Sequence, residues 1–365
     1  MKKLLTGFSV FLLVALGTLF VSCPDGGGST TPAAPITAGL YQKAPPISAS
    51  DTPIASVEAN NLTAAVNYAK ANAAPGKAFT MVVDTEFNAA AQNINTANFD
   101  LTIVGTPTMK TITYTGADSS QLFNLITDTP RLTIGNNITL RGKPSSHAMS
   151  LIYIGTGTFT MSGNSKITGH QTSGAHHSAV YIYGGLFVME GQAEISGNST
   201  SLTTADASAV GVSDTGTFVM RGGSITNNTS GFSGGTAADV YVDEDTCTLE
   251  LSGNATIGSL ALTSDSVYNA SVYIGPSWTG RITELNLLGG GSSITGAIAC
   301  WYNASSPKSV VKGADSRPLT AADINRITTG KFRCSGTATQ IINGASPNQY
   351  YISTAAGTIG MLLKR

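Results

Sequence analysis

Apolar and polar residues alternate in a unit that recurs roughly every thirty residues through the middle of the chain. Its clearest segment has a large apolar residue, then, two positions on, a second apolar residue and, two positions further, a glycine. Copies of this segment begin at Phe159, Phe187, Phe218 and Leu249, and the isoleucines that follow them are Ile167, Ile195, Ile225 and Ile257. Alternation with a period of two is typical of β-strands that bury one face, and glycine and asparagine between the runs indicate tight turns.

A second apolar run keeps the same spacing, so that each unit carries three short strands. Its copies begin at Leu151, Ala179, Ala209, Asp239 and Ser271. Three short strands cannot bury their apolar row alone, whereas units stacked about 4.8 Å apart close a continuous core. A WD-type propeller would need four strands and about 40–45 residues per repeat, which does not fit. The pattern predicts an all-β fold, a single-stranded right-handed parallel β-helix with three short strands per rung, over residues 77–300.

The segments on either side of the repeat predict two caps. Apolar residues at helical spacing from Ser56 to Ala73 indicate an amphipathic helix, so residues 53–76 are predicted to form an N-terminal capping helix. A capping box at Thr320–Asp323 predicts a short helix that ends at Ile327, within a small C-terminal cap over residues 301–365. Caps at these places would cover strand edges that otherwise template aggregation.

The first 52 residues are predicted to lie outside the folded body. Residues 1–22 combine a short cationic start with a long apolar stretch, which is typical of a signal peptide. The stretch ends at Ser22-Cys23 and resembles the lipobox of bacterial lipoproteins, in which the cysteine is acylated. It therefore predicts a lipid on Cys23 that binds the protein to a bacterial membrane without a spanning helix. An ordinary secretory signal or a single membrane span is the alternative, and residues 23–52, rich in glycine and proline, predict a flexible tether.

Composition narrows the classes of function. Lysine and arginine number 20 against 21 aspartates and glutamates, and charged residues make up 11% of the chain. Phosphate binding needs clustered cations, and the sequence has no such cluster, so nucleic acid is excluded as a partner. With 41% apolar residues the chain can bury a sizeable core, which excludes wholesale disorder.

Three polar residues recur at the repeat spacing inside the turns. Asn198 and Asn228 each follow their unit's isoleucine by three residues, and His170 takes the same place one unit earlier. Asparagine tolerates the left-handed backbone of a tight turn and can hydrogen-bond the neighbouring rung, as in an asparagine ladder. We interpret this column as structural.

Acidic residues follow two of the aligned strands. They are Asp214 on one unit and Asp243, Glu244 and Asp245 on the next. A solvated turn, cation binding through oxygen ligands and carboxylate catalysis are the three interpretations, and the solvated turn is the favoured one. Since the matching position has no lysine or arginine to act on a uronate, the pattern predicts no enzyme.

Histidines and one carboxylate precede the aligned strands of three successive units. They are His147, His176, His177 and Asp206. Stacked loops could bring two imidazoles and a carboxylate together, a set that suits zinc or another divalent metal. A polar solvated loop is the favoured interpretation, so neither a metal nor a cofactor is predicted.

The remaining cysteines are divided between the repeat and the C-terminal cap. Cys247 lies in a predicted strand, where it is expected to be a small buried apolar residue. Cys300, at the boundary between the repeat and the cap, and Cys334, within the cap, could form a disulfide in an oxidising envelope, which their spacing alone does not decide.

The repeat units resemble those of spirochaete-type bacterial lipoproteins with right-handed parallel β-helix repeats. The units that carry the resemblance are Gly135–Gly142, Thr158–Gly169 and Gly216–Asn228, and the likeness covers most of residues 55–365. The family is mostly uncharacterised; the resemblance implies the fold and an envelope location, at the outer membrane or cell surface, and supplies no catalytic residues.

We therefore expect a lipid-anchored, non-enzymatic protein whose β-helix serves as an adhesion, interaction or structural surface. Its expected partners are the membrane, through acylated Cys23, and glycans or proteins of the host or the envelope. The alternative is a carbohydrate-binding or polysaccharide-cleaving β-helix protein, whose cleaving form would need two carboxylates within about 5–10 Å of each other.

Overall fold

The chain coils into a parallel β-solenoid of about 6 turns. The computed structural model describes residues 35–145, 147–174, 178–201, 207–230, 238–243, 246–264, 270–289, 310–327, 332–334, 339–341, 350–356 and 361–364. The fold is all-β, with 8% of residues in helices. The predicted parallel β-helix is thereby confirmed, whereas its right-handed sense, the three strands per rung and the two caps stay predictions.

One long sheet contains ten of the described strands, and we call it the first sheet. In order across the sheet they are Gly39–Tyr41, Phe79–Val83, Asp100–Gly105, Arg131–Ile134, Thr158–Met161, Leu186–Met189, Thr217–Met220, Thr248–Leu251, Val272–Ile274 and Val311–Gly313. The strand Gly39–Tyr41 pairs antiparallel with Phe79–Val83, and all later neighbours pair in parallel. The predicted tether over residues 23–52 is therefore wrong at residues 39–41, because backbone pairing and burial of Leu40 and Tyr41 join this segment to the fold. Phe187 pairs with Phe159 on one side and Phe218 on the other. Equivalent residues of successive repeats therefore lie side by side.

The second sheet contains sixteen of the described strands. They are Phe87–Ala89, Gln92–Ile94, Lys110–Tyr114, Phe123–Leu125, Ile138–Arg141, Ile152–Ile154, Lys166–Thr168, Val180–Ile182, Glu194–Ile195, Ala207–Val212, Ser224–Ile225, Ala238–Val242, Thr256–Ser264, Arg281–Gly289, Phe332–Cys334 and Thr339–Ile341. A small third sheet is formed by Gln171–Thr172, Ser199–Thr200 and Thr229–Ser230, and a two-stranded sheet by Tyr350–Ile352 and Leu362–Lys364.

Columns of equivalent apolar side chains fill the interior of the solenoid. The ring centroids of Phe159 and Phe187 are 5.4 Å apart, and those of Phe187 and Phe218 are 4.7 Å apart with an interplanar angle of 9°. The isoleucines of the repeat pair in the same way in the second sheet, and phenylalanines and isoleucines alike are fully buried. Stacking therefore lets each coil cover the apolar row of its neighbour.

The glycine that ends the repeat segment is required by the turn in three of the four copies, whereas in the copy that begins at Phe218 the next residue, Gly223, has the positive φ. Gly163 and Gly253 have φ values of 62° and 54°, in the left-handed region that favours glycine. A Cβ at Gly253 would also lie 2.2 Å from the carbonyl oxygen of Arg221, on the neighbouring coil. The backbones of two coils therefore approach too closely at this corner for any side chain.

The first helix is shorter than the periodicity indicated. It spans Leu62–Ala71, and the side chain of Asn61 caps it by accepting a hydrogen bond from the nitrogen of Ala64 at 3.0 Å. An asparagine N-cap fixes the start of a helix, so the residues before it form turns instead. The buried face of the helix joins the interior of the solenoid, where Tyr68 packs edge-on against Phe79 at 6.1 Å.

The second helix has the predicted bounds. It spans Ala321–Ile327. The nitrogen of Thr320 donates to Oδ2 of Asp323 at 2.8 Å, and the nitrogen of Asp323 donates to Oγ1 of Thr320 at 3.3 Å. These reciprocal bonds form the predicted capping box. Among the residues that the structure describes, no helix is both long and apolar enough to span a membrane.

Candidate functional site

A column of buried polar side chains crosses successive coils of the solenoid. The backbone nitrogen of His170 donates to Oδ1 of Asn198 at 3.1 Å, and the nitrogen of Asn198 donates to Oδ1 of Asn228 at 3.0 Å. Each asparagine also donates its side-chain amide to carbonyl oxygens at the turn. The structure thus places the predicted turn column in one chain of hydrogen bonds, where each side chain satisfies the backbone of the neighbouring coil.

Asp239 continues this column, and the sequence reasoning did not include it. Its Oδ1 accepts hydrogen bonds from the backbone nitrogen and Nδ2 of Asn228 at 3.1 and 2.8 Å, and its Oδ2 accepts one from the nitrogen of Ser259 at 2.8 Å. Burial raises the pKa of Asp239, while the bonds from Asn228 and Ser259 oppose that shift. The sequence does contain a sign of this role, because Asp239 occupies a repeat position at which the two preceding units have Ala179 and Ala209.

His147 lies inside the fold rather than in an outward loop. Its ring packs edge-on against Tyr114 and His170, with centroids 5.7 and 5.1 Å away. Its Nδ1 is 2.8 Å from the carbonyl oxygen of Met149, and its Nε2 is 3.1 Å from that of Ala117. The ring therefore bridges two backbone segments.

The other candidate metal ligands, His176, His177 and Asp206, lie outside the described residues. Within the part of the chain that is described, no group of three or more histidine, cysteine, aspartate or glutamate side chains could hold a metal ion. Cys23, Cys300, Glu244 and Asp245 also lie outside the described residues. Cys334 ends a strand of the second sheet. Cys247 is buried as predicted, but it directly precedes the strand Thr248–Leu251 instead of lying in it.

Three tyrosines, two half-buried and one exposed, and two half-buried aspartates lie on successive coils along the outer side of the second sheet and its edge, and we call Tyr153, Tyr181, Tyr183, Asp214 and Asp243 the tyrosine–aspartate surface. Tyr153 pairs with Tyr181 in the sheet, and their ring centroids are 6.0 Å apart. Tyr183 follows at the corner, where 46% of its surface is exposed. The nitrogen of Thr215 donates to the carbonyl oxygen of Tyr183 at 3.1 Å, so Asp214 lies one coil away from Tyr183.

Two glycines leave room beside these rings. A Cβ at Gly155 would lie 2.9 Å from Cε1 of Tyr153, and a Cβ at Gly211 would lie 3.1 Å from Cδ2 of Tyr181. Each ring therefore packs directly against the backbone of a glycine. A residue with a Cβ at either position would crowd the ring. This packing holds the rings in place on the sheet.

The two aspartates are bound only to hydroxyl groups and carry no counter-ion among the described residues. Oδ2 of Asp214 accepts a hydrogen bond from Oγ1 of Thr215 at 3.2 Å. Asp243 accepts one from the hydroxyl of Tyr241 at 2.9 Å and one from that of Ser213 at 3.4 Å. Ser213, rather than Asp214, occupies the position opposite Asp243, so the two carboxylates are offset by one residue.

The tyrosine–aspartate surface is electrically negative. Burial raises the pKa of the Tyr153 phenol, and the charges of Tyr183 and Asp214 raise it further. The arrangement offers aromatic faces beside carboxylate acceptors, which is suited to binding from outside rather than to enclosing a small molecule.

Comparison with protein-family models, curated proteins and solved structures finds no match to this chain.

The tyrosines of this surface were not among the site residues predicted from the sequence. The signal was a tyrosine between two buried apolar residues, as in Ile152-Tyr153-Ile154 and Val180-Tyr181-Ile182. In a strand the central residue of such a triplet points away from the core. Tyr183 and Asp214 belong to this surface because the corners of two neighbouring coils meet there. The repeat spacing in the sequence does not show where these corners meet.

Proposed function

We propose that this chain is a lipid-anchored, non-enzymatic β-solenoid of a bacterial envelope, at the outer membrane or cell surface, whose outer side binds partners. The observation that carries the proposal is the tyrosine–aspartate surface, which stands on a solid stack of coils. The interior beneath it is filled by apolar columns, so the described fold offers its chemistry on the outside. In this proposal the coils are right-handed, with three strands per rung and a cap at each end.

Lipid attachment at Cys23 is the part of the proposal that the N-terminal sequence supports. An acyl chain contributes about 0.8 kcal/mol of membrane binding for each buried CH₂ group. The test is temperature-induced detergent phase separation of the full chain expressed in a bacterium. We expect the wild-type protein in the detergent phase and Cys23→Ala in the aqueous phase. Cys247→Ala, which removes a thiol from the solenoid, serves as the control and follows the wild type; an unchanged Cys23→Ala would refute the anchor.

Carbohydrate binding is the second candidate, and the aromatic rings of the tyrosine–aspartate surface, of which Tyr183 is exposed, favour it because aromatic faces can also stack on sugars. The full chain in a mild non-ionic detergent would be applied to a glycan array and incubated with polysaccharides in a reducing-end assay. The non-enzymatic proposal expects no release of reducing ends. Release that Asp243→Asn abolishes would replace it with a polysaccharide-cleaving function.

A further inference from the structure

We propose that the tyrosine–aspartate surface binds arginine or lysine side chains of a basic protein segment. This inference deepens the proposed function and rests on it, since it names the chemistry of the partner that the outer side would hold. The surface combines three aromatic side chains with two carboxylates on neighbouring coils. Each of these two components favours a cation, for a different physical reason.

The tyrosine rings supply the first component. A cation over an aromatic face, within about 6 Å of the ring centroid, is attracted by the negative face of the ring. The same chain already makes this contact elsewhere, because Nζ of Lys312 lies 5.4 Å from the ring centroid of Tyr273 in the first sheet. At Tyr153 and Tyr183 the structure describes no such internal cation, so a partner can supply it.

The carboxylates supply the second component. Asp214 and Asp243 accept hydrogen bonds from hydroxyl groups, and no ion pair in the described part of the chain neutralises either of them. A neutral sugar would leave both charges unbalanced. A guanidinium or ammonium group would balance them and also stack on a ring, which is why the charge favours a basic partner over a glycan.

The backbone presents both components in a fixed arrangement. Tyr153 and Tyr181 lie on paired strands, and the nitrogen of Asp243 donates to the carbonyl oxygen of Val212 at 3.0 Å, so the corner that carries the aspartates is also hydrogen-bonded. A fixed surface loses little conformational entropy when it binds. Because the surface is open, we commit to an extended protein segment as its occupant rather than to a small enclosed cation.

The test measures binding of a fluorescent hexa-arginine peptide to the full chain in a mild non-ionic detergent. Hexaglutamate and cellohexaose are the comparison probes, and each is measured at about 0.15 M and about 1 M salt. We expect hexa-arginine to bind, to bind more weakly at the higher salt concentration, and the two other probes not to bind. Thermal unfolding of every variant checks that it is folded.

Variants separate the site from general attraction to carboxylates elsewhere on the protein. Tyr183→Ala is expected to weaken hexa-arginine binding about two- to fivefold, the loss of one exposed cation–π contact. Tyr183→Phe keeps the aromatic face and is expected to keep binding, and Asp214→Asn is expected to weaken it up to about fivefold. The matched controls are Tyr273→Ala, whose ring already holds Lys312, and Glu86→Gln, an exposed carboxylate on another coil; both are expected to bind as the wild type does.

Three results would overturn the inference. One is no binding of hexa-arginine, a second is equal weakening by the site variants and the two controls, and the third is binding of cellohexaose that depends on Tyr183. None of these three results bears on lipid attachment at Cys23, because detergent partitioning of Cys23→Ala is a separate measurement. If the anchor fails while the tyrosine variants behave as expected, the binding surface stands and the envelope location does not.

Discussion

The side-chain oxygen of Asn228 accepts a hydrogen bond from the backbone nitrogen of Asn198, 30 residues earlier in the chain, at 3.0 Å. Asn198 in turn accepts one from the nitrogen of His170, 28 residues earlier again. In both cases a buried backbone group of one coil is satisfied by the side chain of the next. An unsatisfied buried donor costs about 1–3 kcal/mol, so these contacts decide whether the turns can be buried at all.

Removing one asparagine of the column should destabilise the solenoid. Asn198→Ala leaves the nitrogen of His170 without its acceptor, and we expect the free energy of unfolding to fall by about 1–3 kcal/mol. Urea unfolding followed by circular dichroism measures it. Asn88→Ala, at an exposed position, is the control and should change the value by less than about 0.5 kcal/mol. Equal effects of the two variants would contradict the role of the column.

Asp239 should make stability decrease as the pH rises. Burial raises its pKa in the folded chain, so the folded state keeps a proton that the unfolded state has already lost. Stability from this group is therefore complete below the ordinary pKa of aspartate, about 3.9, and is lost as the pH rises through the raised folded pKa.

The measurement compares the free energy of unfolding of the wild type and of Asp239→Asn over a pH series. Asparagine does not titrate, so the wild-type value minus the variant value should fall through that window. Carboxylates that do not interact with Asp239 contribute equally to both proteins and cancel in the difference, whereas Glu284, whose charge acts on Asp239, does not cancel fully. A difference that stays flat or rises with pH would show that the hydrogen bonds from Asn228 and Ser259 outweigh burial.

The phenylalanine column should carry a large share of the stability. Phe187 is fully buried between Phe159 and Phe218, and Phe187→Ala is expected to cost about 3–5 kcal/mol through lost burial and the cavity left behind. Tyr183→Ala removes an aromatic ring from the surface and should cost less than about 1 kcal/mol, as most exposed substitutions do. Chemical denaturation of both variants tests this, and a similar cost for the two would argue against stacked coils.

The ion pair between Lys166 and Glu194 should lower the pKa of Glu194 but contribute little to the free energy of unfolding. Nζ of Lys166 lies 2.9 Å from Oε1 of Glu194, and the hydroxyl of Ser196 followed by Lys166 holds the pKa of Glu194 below its ordinary value. The ionised Glu194 therefore stabilises the fold above the ordinary pKa of glutamate, about 4.3. This stabilisation is lost as the pH falls through the lower pKa that Glu194 has in the folded protein.

Lys166→Met should raise the pKa of Glu194 in a carboxyl NMR titration and cost no more than about 1 kcal/mol, since both side chains are partly exposed. Arg221→Met is the matched control, because its guanidinium lies 4.0 Å from Glu190 on the same solenoid. It should leave the titration of Glu194 unchanged. A pKa of Glu194 that does not move in Lys166→Met would mean that the Ser196 hydroxyl alone sets it.

The alternation of apolar and polar residues in the sequence predicted those parts of the fold in which successive coils have equivalent residues at equivalent positions. Phe159, Phe187 and Phe218 are equivalent positions in successive units, and stacking identical residues buries the largest apolar area with one register. The capping box of Thr320 and Asp323 was predictable for a similar reason, because its hydrogen bonds join residues three apart in the chain.

Features that depend on how unequal loops close were not predictable. Asp239 reaches Asn228 across 11 residues, whereas the preceding contact of the column spans 30, so the repeat spacing gave no reason to join them. His147 appeared as a loop residue because only the fold shows the space beside Tyr114 that its ring fills.

By itself, then, the sequence determined a stacked β fold and the residues that line its interior, since period-two alternation and a constant repeat length act locally and reinforce each other at every coil. The tertiary structure alone decided which outer groups meet. Tyr183 and Asp214 come together at a corner where the carbonyl oxygen of Tyr183 accepts a hydrogen bond from Thr215. That meeting depends on the path of the backbone between strands, which side-chain periodicity does not encode.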